Sequence, residues 1–499
     1  MRVKPQMPDT RLARSRPARL RRLRLAPLLL VAGALSACEV GPNYHQPTAP
    51  TPGTYKEIQG WTAAQPSDAA DRADWWTVFN DPVLNDLEQK VVVSNQTLAA
   101  AEAAYRQARA LVSEQRAALW PSVTANGSAS VSHSGAGGSV LGGNGSVITG
   151  GKGTVQDYNL QLGGTWEPDI WGKVRRQIEN AKATAQASAA DLVNVRLSAQ
   201  MELAADYITL RQLDEEKRLD DDTVKAYDES LTITRNKYHA GNAALSDVDA
   251  AETQLHNAKA ADIALAQQRA QSEHAIAILT GQPPADLTLD PGPWTLQPVA
   301  IPPGVPSTLL QRRPDVAEAE RNAAAASANI GVATAGYYPN ITLTGTGGTE
   351  AQSIGELFSP QTFFWNAGVS AAETIFNGGL THAQVQAARA GYDQAVANYR
   401  QAVLAAFGQV EDNLAAQRVL AEEQPELQSA VTSADQDVRI LENQYKAGTV
   451  DYTQVVVAQT AAYSAHNAEL ALEANRLTTT VDLIVALGGG WNADELKNK

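Results

Sequence analysis

A repeated turn motif is the sequence feature that most limits the folds open to this chain. The segment YHAG ends at Gly241, and the segment YKAG ends at Gly448, 207 residues later. Gly281 and Gly488 are separated by the same offset. Glycine is favoured where a chain leaves a helix with positive φ. The repetition therefore predicts two copies of one structural unit, each with a helical hairpin that turns at its Tyr-x-Ala-Gly segment.

Very long helices are predicted on both sides of each turn. Between Pro168 and Pro283 the chain contains no proline, and its only glycines are Gly172, Gly241 and Gly281. At 1.5 Å per residue, the helix that precedes the first turn would be on the order of 100 Å long, which far exceeds the thickness of a bilayer. The second copy carries two similar helices over residues 380–487, with a kink expected at Pro425. Residues 85–119, which lack glycine and proline, predict one further long helix.

Four short segments alternate between polar and apolar residues, which is the period of a β-strand with one wet face. They are PSVTANGSASVSHS and DYNLQLGGTW in the first copy, and NITLTGTGG and WNAGVSAAE in the second. They predict two β-hairpins, at residues 121–168 and 339–376. Aromatic residues flank them, as in the girdle of a membrane barrel: Trp120, Trp166, Trp171, Tyr337, Tyr338, Trp365 and Phe376.

Four strands are too few to close a barrel, and an open sheet edge cannot be satisfied in hydrocarbon. Several chains would therefore have to share one barrel. Two copies would give eight strands and an interior filled by side chains, whereas three copies would give twelve strands and room for a lumen. A helical protein with two surface hairpins is the alternative.

The N-terminus has the features of an export signal that ends in a lipobox. Residues 1–25 are rich in arginine, and the short apolar run APLLLVAGAL and the segment LSAC follow them. Cys38, the only cysteine in the chain, is the predicted lipid attachment site, with a buried cysteine beside an ordinary signal peptide as the alternative. Cleavage before Cys38 would remove nine basic residues and one acidic residue, so the formal charge would change from −14 to −22. This balance argues against nucleic acid as a partner.

The sequence thus predicts six regions. They are a signal peptide at 1–37, an extended lipidated segment at 38–80, a first repeat at 81–282, a proline-rich linker at 283–306, a second repeat at 307–490 and a C-terminal tail at 491–499. The seven histidines show no i, i+4 pair and no cysteine partner, so no metal site is predicted. No residue is predicted to be catalytic, and the chain is not expected to be an enzyme.

Several segments carry a family resemblance. WWTVFNDPVLNDLEQK, LLQRRPDVAEAER, the strand exits WEPDIWGKVRR and ETIFNGG, and both Tyr-x-Ala-Gly turns resemble the TolC-like outer-membrane efflux factors, in particular the lipoprotein branch of the OprM and NodT type. The resemblance covers essentially the whole mature chain. It implies a mainly α fold with a membrane β-barrel portion, in which a homotrimer forms a twelve-stranded barrel in the outer membrane and an α-helical tunnel in the periplasm.

The resemblance also implies the function. The protein would be a lipid-anchored, passive exit duct that receives small amphiphilic toxic compounds from an inner-membrane pump of the RND type through a periplasmic adaptor. No cofactor is expected beyond the diacylglycerol and N-acyl (palmitate) lipid on Cys38. Two alternatives stay open: an outer-membrane duct for type I protein secretion, and a lipid-anchored periplasmic scaffold without a pore.

The resemblance places functional residues at the two tip turns, residues 238–247 and 445–453. Tyr238, Gly241, Asp247 and Gly448 would face the adaptor. Asp451 and Tyr445 would lie at the periplasmic gate, where three-fold repetition would create a ring of carboxylates that attracts cations. Asp451 could equally serve as a helix N-cap. For Tyr445, packing against neighbouring side chains is the alternative role.

Overall fold

The computed structural model of the chain describes residues 39–57, 74–134, 139–141, 147–149, 153–299 and 313–489. The predicted signal peptide, Cys38 and the C-terminal tail lie outside these residues. Seven α-helices occur in the described part: α1 (Pro82–Ser94), α2 (Gln96–Ala117), α3 (Lys173–His239), α4 (Leu245–Leu279), α5 (Pro314–Thr334), α6 (Leu380–Ala447) and α7 (Tyr452–Ala486). The strands are β1 (Ser122–Ser134), β2 (Ser139–Leu141), β3 (Val147–Thr149), β4 (Gly153–Trp166), β5 (Asn340–Ala351) and β6 (Phe363–Ala372).

The duplication that the turn motif predicts extends over both helical hairpins. Helices α3 and α4 contain 67 and 35 residues, and α6 and α7 contain 68 and 35. Helix α7 begins and ends 207 residues after helix α4 begins and ends. Three glycines with positive φ recur at the same offset, because each ends or begins a helix: Gly172 and Gly379, Gly241 and Gly448, Gly281 and Gly488. Helix α6 runs through Pro425 without a break, and the kink there stays a prediction.

The single helix predicted over residues 85–119 is wrong, because the structure has two helices that meet at Asn95. Asn95 adopts extended φ and ψ, and its side-chain oxygen accepts from the Leu98 N–H at 2.9 Å. Its Nδ2 donates to the Leu279 carbonyl at 2.8 Å. An asparagine side chain competes with the backbone for hydrogen bonds, so it can end one helix and cap the next without glycine or proline. The predicted start holds: Asp81 caps α1 through the N–H groups of Val83 and Leu84.

The four long strands form one antiparallel sheet in the order β1-β4-β5-β6. Leu162 lies opposite Ala125 on one side and Gly347 on the other, and Gly347 lies opposite Trp365. This register places the apolar positions of all four strands on the same face of the sheet. The apolar face includes Val123, Leu160, Leu162, Trp166, Ile341, Leu343, Trp365 and Val369. The opposite face includes Ser122, Thr124, Asn126, Asn159, Gln161, Thr165, Thr344 and Asn366.

Next to the sheet, the helices lie side by side in the same order as the strands to which they are joined. There, α2 packs on α3, α3 on α5 and α5 on α6; further away, α4 and α7 flank α3, and α7 packs on α6. The contact between α3 and α5 is close because alanines line it, among them Ala183, Ala190 and Ala324. None of the described helices combines the length and the apolar composition needed to cross a bilayer.

The two largest buried clusters among the described residues hold several helices together. The larger one joins α1, α3, α6 and α7 around Tyr207, Leu210, Val403 and Leu477. The smaller one, which we call the tip core, lies beside the two Tyr-x-Ala-Gly turns and contains Tyr227, Leu231, Val248, Ala251, Leu255, Tyr445, Tyr452 and Val455. All four long helices contribute to the tip core. The fold class predicted from the sequence, duplicated long helical hairpins with four sheet strands, is confirmed.

Residues 39–57 lie against the helices in an extended conformation. Near the sheet, the Arg176 guanidinium donates to the Val40 carbonyl at 3.2 Å and to Asn43 Oδ1 at 2.9 Å. Further along, the Tyr44 hydroxyl donates to Glu320 at 2.5 Å. At the other end, the backbone N–H of Lys56 donates to Glu411 at 2.7 Å. The segment therefore crosses α3, α5 and α6 in turn.

Candidate functional site: the tips of the helical hairpins

The two tip turns have the same backbone hydrogen bonds. In the first, the Gly241 N–H donates to the Tyr238 carbonyl at 2.9 Å and the Asn242 N–H donates to the Lys237 carbonyl at 2.8 Å. In the second, Gly448 and Thr449 donate to Tyr445 and Gln444 in the same pattern, both at 3.0 Å. Gly241 and Gly448 have φ values of 76° and 79°. These bonds form a Schellman motif, so the repeated motif encodes a helix C-cap.

The two acidic residues after the turns occupy different positions. Asp247 is the third residue of α4, and its carboxylate accepts from the Ala244 N–H at 3.2 Å, which is half of a capping box. Asp451 stands at the N-cap of α7, the position that Ala244 holds in the first copy. Its side chain is exposed and makes no capping hydrogen bond. The carboxylate of Asp451 is thus available to a partner outside its own helix terminus.

Tyr445 is packed inside the tip core and only 6% exposed. Its ring lies 5.2 Å from the ring of Tyr452, and its hydroxyl donates to Thr234 Oγ1 at 3.1 Å. The Lys237 ammonium lies 4.0 Å from the centroid of the Tyr445 ring and donates to the Tyr445 carbonyl. Burial raises the pKa of Tyr445. Tyr238, its counterpart in the first copy, is 40% exposed.

A second polar contact joins the hairpins above Tyr445. Gln459 Nε2 on α7 donates to Ser230 Oγ on α3 at 3.2 Å and to Glu442 Oε1 on α6 at 3.0 Å. Beside it, burial raises the pKa of Tyr452 to about 12. Three helices therefore share one amide side chain, and its contact with Ser230, which joins the two hairpins, is buried.

Sequence reasoning did not single out Lys237, Thr234 or Gln459. Lys237 precedes the turn, where a lysine ordinarily complements the C-terminal end of a helix, so nothing in the sequence marked it as a contact between hairpins. Thr234 and Gln459 are ordinary polar residues in helical segments. The signal that could have identified them is the pairing of the two hairpins, which the repeat alone does not specify.

The described residues contain no group of three or more His, Cys, Asp or Glu side chains arranged to hold a metal ion. The tips provide exposed helix ends, an unengaged carboxylate and a tyrosine-lysine contact. Such an arrangement can bind a protein partner or form a gate by packing against neighbouring copies of itself.

Comparison with known proteins identifies the family. Residues 87–282 and 305–489 match the outer membrane efflux protein family, and these two segments end 207 residues apart, as the two repeats do. Over 471 residues, the chain is 33% identical to the probable efflux pump outer membrane protein TtgC of Pseudomonas putida, a match that covers 94% of this chain and 96% of TtgC. It is 28% identical to the cation efflux system protein CusC of Escherichia coli, covering 92% and 97%.

Solved structures agree. The outer-membrane channel OprN superposes with a TM-score of 0.80 at 30% identity and covers 91% of this chain and 100% of its own. The open state of the MtrE outer membrane channel of Neisseria gonorrhoeae superposes with a TM-score of 0.78 at 28% identity, covering 91% and 99%. These relatives are channels rather than enzymes. The chain belongs to the outer membrane efflux protein family, and it is an outer-membrane channel for efflux.

Proposed function

We propose that three copies of this chain form a passive exit duct for small amphiphilic toxic compounds. The observation that carries the proposal is the sheet: its apolar face is exposed, and within the described residues β1 and β6 each have one unpaired edge. Such edges are not tolerated in hydrocarbon, so β1 of one chain would pair with β6 of the next. Three chains would give twelve strands, and the helices below them would continue the barrel as a tunnel.

The partners in this proposal are a periplasmic adaptor and an inner-membrane pump of the RND type. The exposed tip turns, with Tyr238, Gly241, Asp247 and Gly448, are where the adaptor would bind. Cys38 would carry the diacylglycerol and N-acyl lipid that anchors the mature chain. Support for small-molecule cargo comes from the names of relatives, which include an antibiotic efflux pump protein and a toluene efflux pump protein of Pseudomonas putida.

The gate is proposed to lie at the tips. Three Asp451 carboxylates would converge where the tunnel is narrowest, and Tyr445, fixed by Thr234 and Lys237, would hold each second hairpin in the closed position. The support is that Asp451 is exposed and makes no capping bond, whereas Tyr445 is buried within its own chain. Tyr445 would thus act by positioning the hairpin rather than by lining the aperture.

Accumulation of a fluorescent cationic dye tests the function. Cells that lack this gene are compared with the parent strain and with a complemented strain. We expect raised accumulation in the deletion strain and its reversal on complementation. Unchanged accumulation, together with loss of a secreted protein, would favour a type I secretion duct. If neither changes and the purified protein conducts no ions, the scaffold alternative is correct.

A further inference from the structure

A pocket of about 640 Å³ lies where the helices meet the sheet. Its walls come from the end of α2, the first turns of α3, the middle of α5 and the first residues after Cys38, beginning with Glu39. Leu119, Ile178 and Ala183 supply apolar surface. Trp120, which is 76% exposed, stands at the edge of the pocket. The pocket is separate from the tips, and the proposed duct does not use it.

The pocket carries an excess of positive charge in an acidic chain. Four basic and two acidic side chains line it. Both acidic residues, Glu39 and Glu179, already face the buried guanidinium of Arg176, at 3.4 Å and 2.6 Å. Arg176, which does not line the pocket, therefore offsets one of these two negative charges, and the four basic residues of the lining outnumber the one that remains.

Within the part of the chain that the structure describes, two of these four basic side chains have no ion-pair partner. Arg175 pairs with Asp169 at 3.2 Å, and Arg321 pairs with Glu320. By contrast, Arg116 and Lys182 are exposed and form no ion pair or side-chain hydrogen bond with any residue that the structure describes. One comes from α2 and the other from α3, so they approach the pocket from two different helices.

The pocket lies at the level where the membrane surface is expected. Each sheet strand has an aromatic residue near its helix end: Trp120 before β1, Trp166 at the end of β4, Tyr338 before β5 and Phe376 after β6. The Trp166 indole N–H donates to the Leu119 carbonyl at 3.0 Å. Because Leu119 lines the pocket, Trp166 and the pocket lie at the same level of the fold. Tryptophan and tyrosine collect at the interface between hydrocarbon and water.

We propose that this pocket binds the headgroup of an anionic phospholipid. Arg116 and Lys182 would hold the phosphate, because cations at a membrane surface attract anionic headgroups. Trp120 and the apolar wall would contact the glycerol and the first methylenes of the acyl chains. A soluble anion would not use that apolar surface, so the lipid is the favoured source of the phosphate. The inference depends on the sheet lying in the membrane, but not on the cargo or the gate.

Native mass spectrometry of the full mature protein in mild detergent tests the proposal. The protein is titrated with phosphatidylglycerol or with phosphatidylcholine of the same acyl chains. We expect wild type to bind phosphatidylglycerol at least about tenfold more tightly than phosphatidylcholine, since each basic residue contributes several-fold. The R116Q/K182Q variant should lose this preference, and the charge-conserving R116K/K182R variant should keep it.

The matched control is R106Q/K259Q, which removes one arginine and one lysine that are exposed and do not line the pocket. It should bind like wild type. Three results would overturn the proposal: equal binding of the two lipids by wild type, an unchanged preference in R116Q/K182Q, or displacement of phosphatidylglycerol by millimolar inorganic phosphate, which would reassign the pocket to a soluble anion. Ion conductance of the same variants in a neutral bilayer separates failure of lipid binding from failure of the channel.

Discussion

At the residue scale, two carboxylates of this chain have opposite surroundings. Asp451 is exposed at the tip and makes no capping bond, whereas Glu88 on α1 is fully buried and neither of its oxygens has a hydrogen-bond partner among the residues that the structure describes. A buried, unpaired carboxylate is costly in its ionised form. The two residues therefore lead to different predictions, one on conductance and one on stability.

Replacing Asp451 tests the gate. We expect D451A to raise the ion conductance of the purified channel in a planar bilayer, because the variant removes the side chain proposed to close the aperture. The matched control is D249A, which removes an exposed aspartate close to the other turn and should conduct like wild type. A D451A conductance equal to that of wild type would remove Asp451 from the gate.

Glu88 should make stability depend on pH. Burial raises its pKa from 4.5 to about 9, so the folded chain keeps a proton that the unfolded chain releases above pH 4.5. Glu88 lowers the free energy of unfolding least below pH 4.5. The free energy of unfolding then falls as pH rises from 4.5 towards about 9. At pH 7, burial of Glu88 lowers the free energy of unfolding by at most roughly 3 kcal/mol.

The E88Q variant should lack this dependence. We expect the difference in thermal midpoint between E88Q and wild type to shift in favour of E88Q as pH rises from 5 to 8, measured by circular dichroism in detergent. The glutamine adds a buried donor without a partner, so the trend with pH is the test rather than the absolute difference. Parallel curves for the two proteins would show that Glu88 finds a partner or reaches water.

At the scale of elements, polar contacts join the two hairpins beside the apolar tip core. Lys237 of α3 meets the ring and the carbonyl of Tyr445 on α6, and Gln459 of α7 joins Ser230 and Glu442. A cation over a tyrosine ring contributes about 0.5–2 kcal/mol, depending on its exposure. Small changes at these positions should therefore shift the balance between closed and open tips without unfolding the chain.

The K237M variant tests this contact. It keeps a long apolar side chain but removes the ammonium, so we expect higher conductance with little change in the thermal midpoint. The Y445F variant removes the hydrogen bond to Thr234. In a double-mutant cycle of K237M with Y445F, the two effects on conductance should be less than additive if both contacts hold the same hairpin. The control K225M, on the exposed part of α3 away from the turn, should conduct like wild type. Additive effects would mean that the two residues act separately.

Elements also show where sequence reasoning succeeds. The helical hairpins could be predicted because Gly241 and Gly448 adopt a positive φ after a helix, which is a local requirement for glycine. The strands could be predicted because the alternation of polar and apolar residues is also a local pattern. The break at Asn95 was missed because its cap competes with a continuous helix, and the choice is made by the Leu279 carbonyl, 184 residues away in the chain. Arg116, Lys182 and Lys237 look like ordinary surface residues until distant segments are brought together.

At the scale of the whole molecule, a single chain leaves an apolar surface and sheet edges without partners among the described strands. Its sheet has one apolar and one polar face and two unpaired edges among the described strands. The apolar face exposes Val123, Leu162, Trp365 and Val369. Such a surface is incompatible with water and such edges are incompatible with hydrocarbon, so the chain requires both a membrane and further copies of itself.

The structure of the purified full-length protein in a lipid nanodisc, determined by electron cryo-microscopy, tests the proposed trimeric channel. We expect three chains around one axis, a closed barrel of twelve strands in which β1 of each chain pairs with β6 of its neighbour, and a continuous lumen that narrows at the three Asp451 residues. A monomer with an open sheet, a barrel closed by another number of chains, or a trimer whose axis holds no lumen would contradict it.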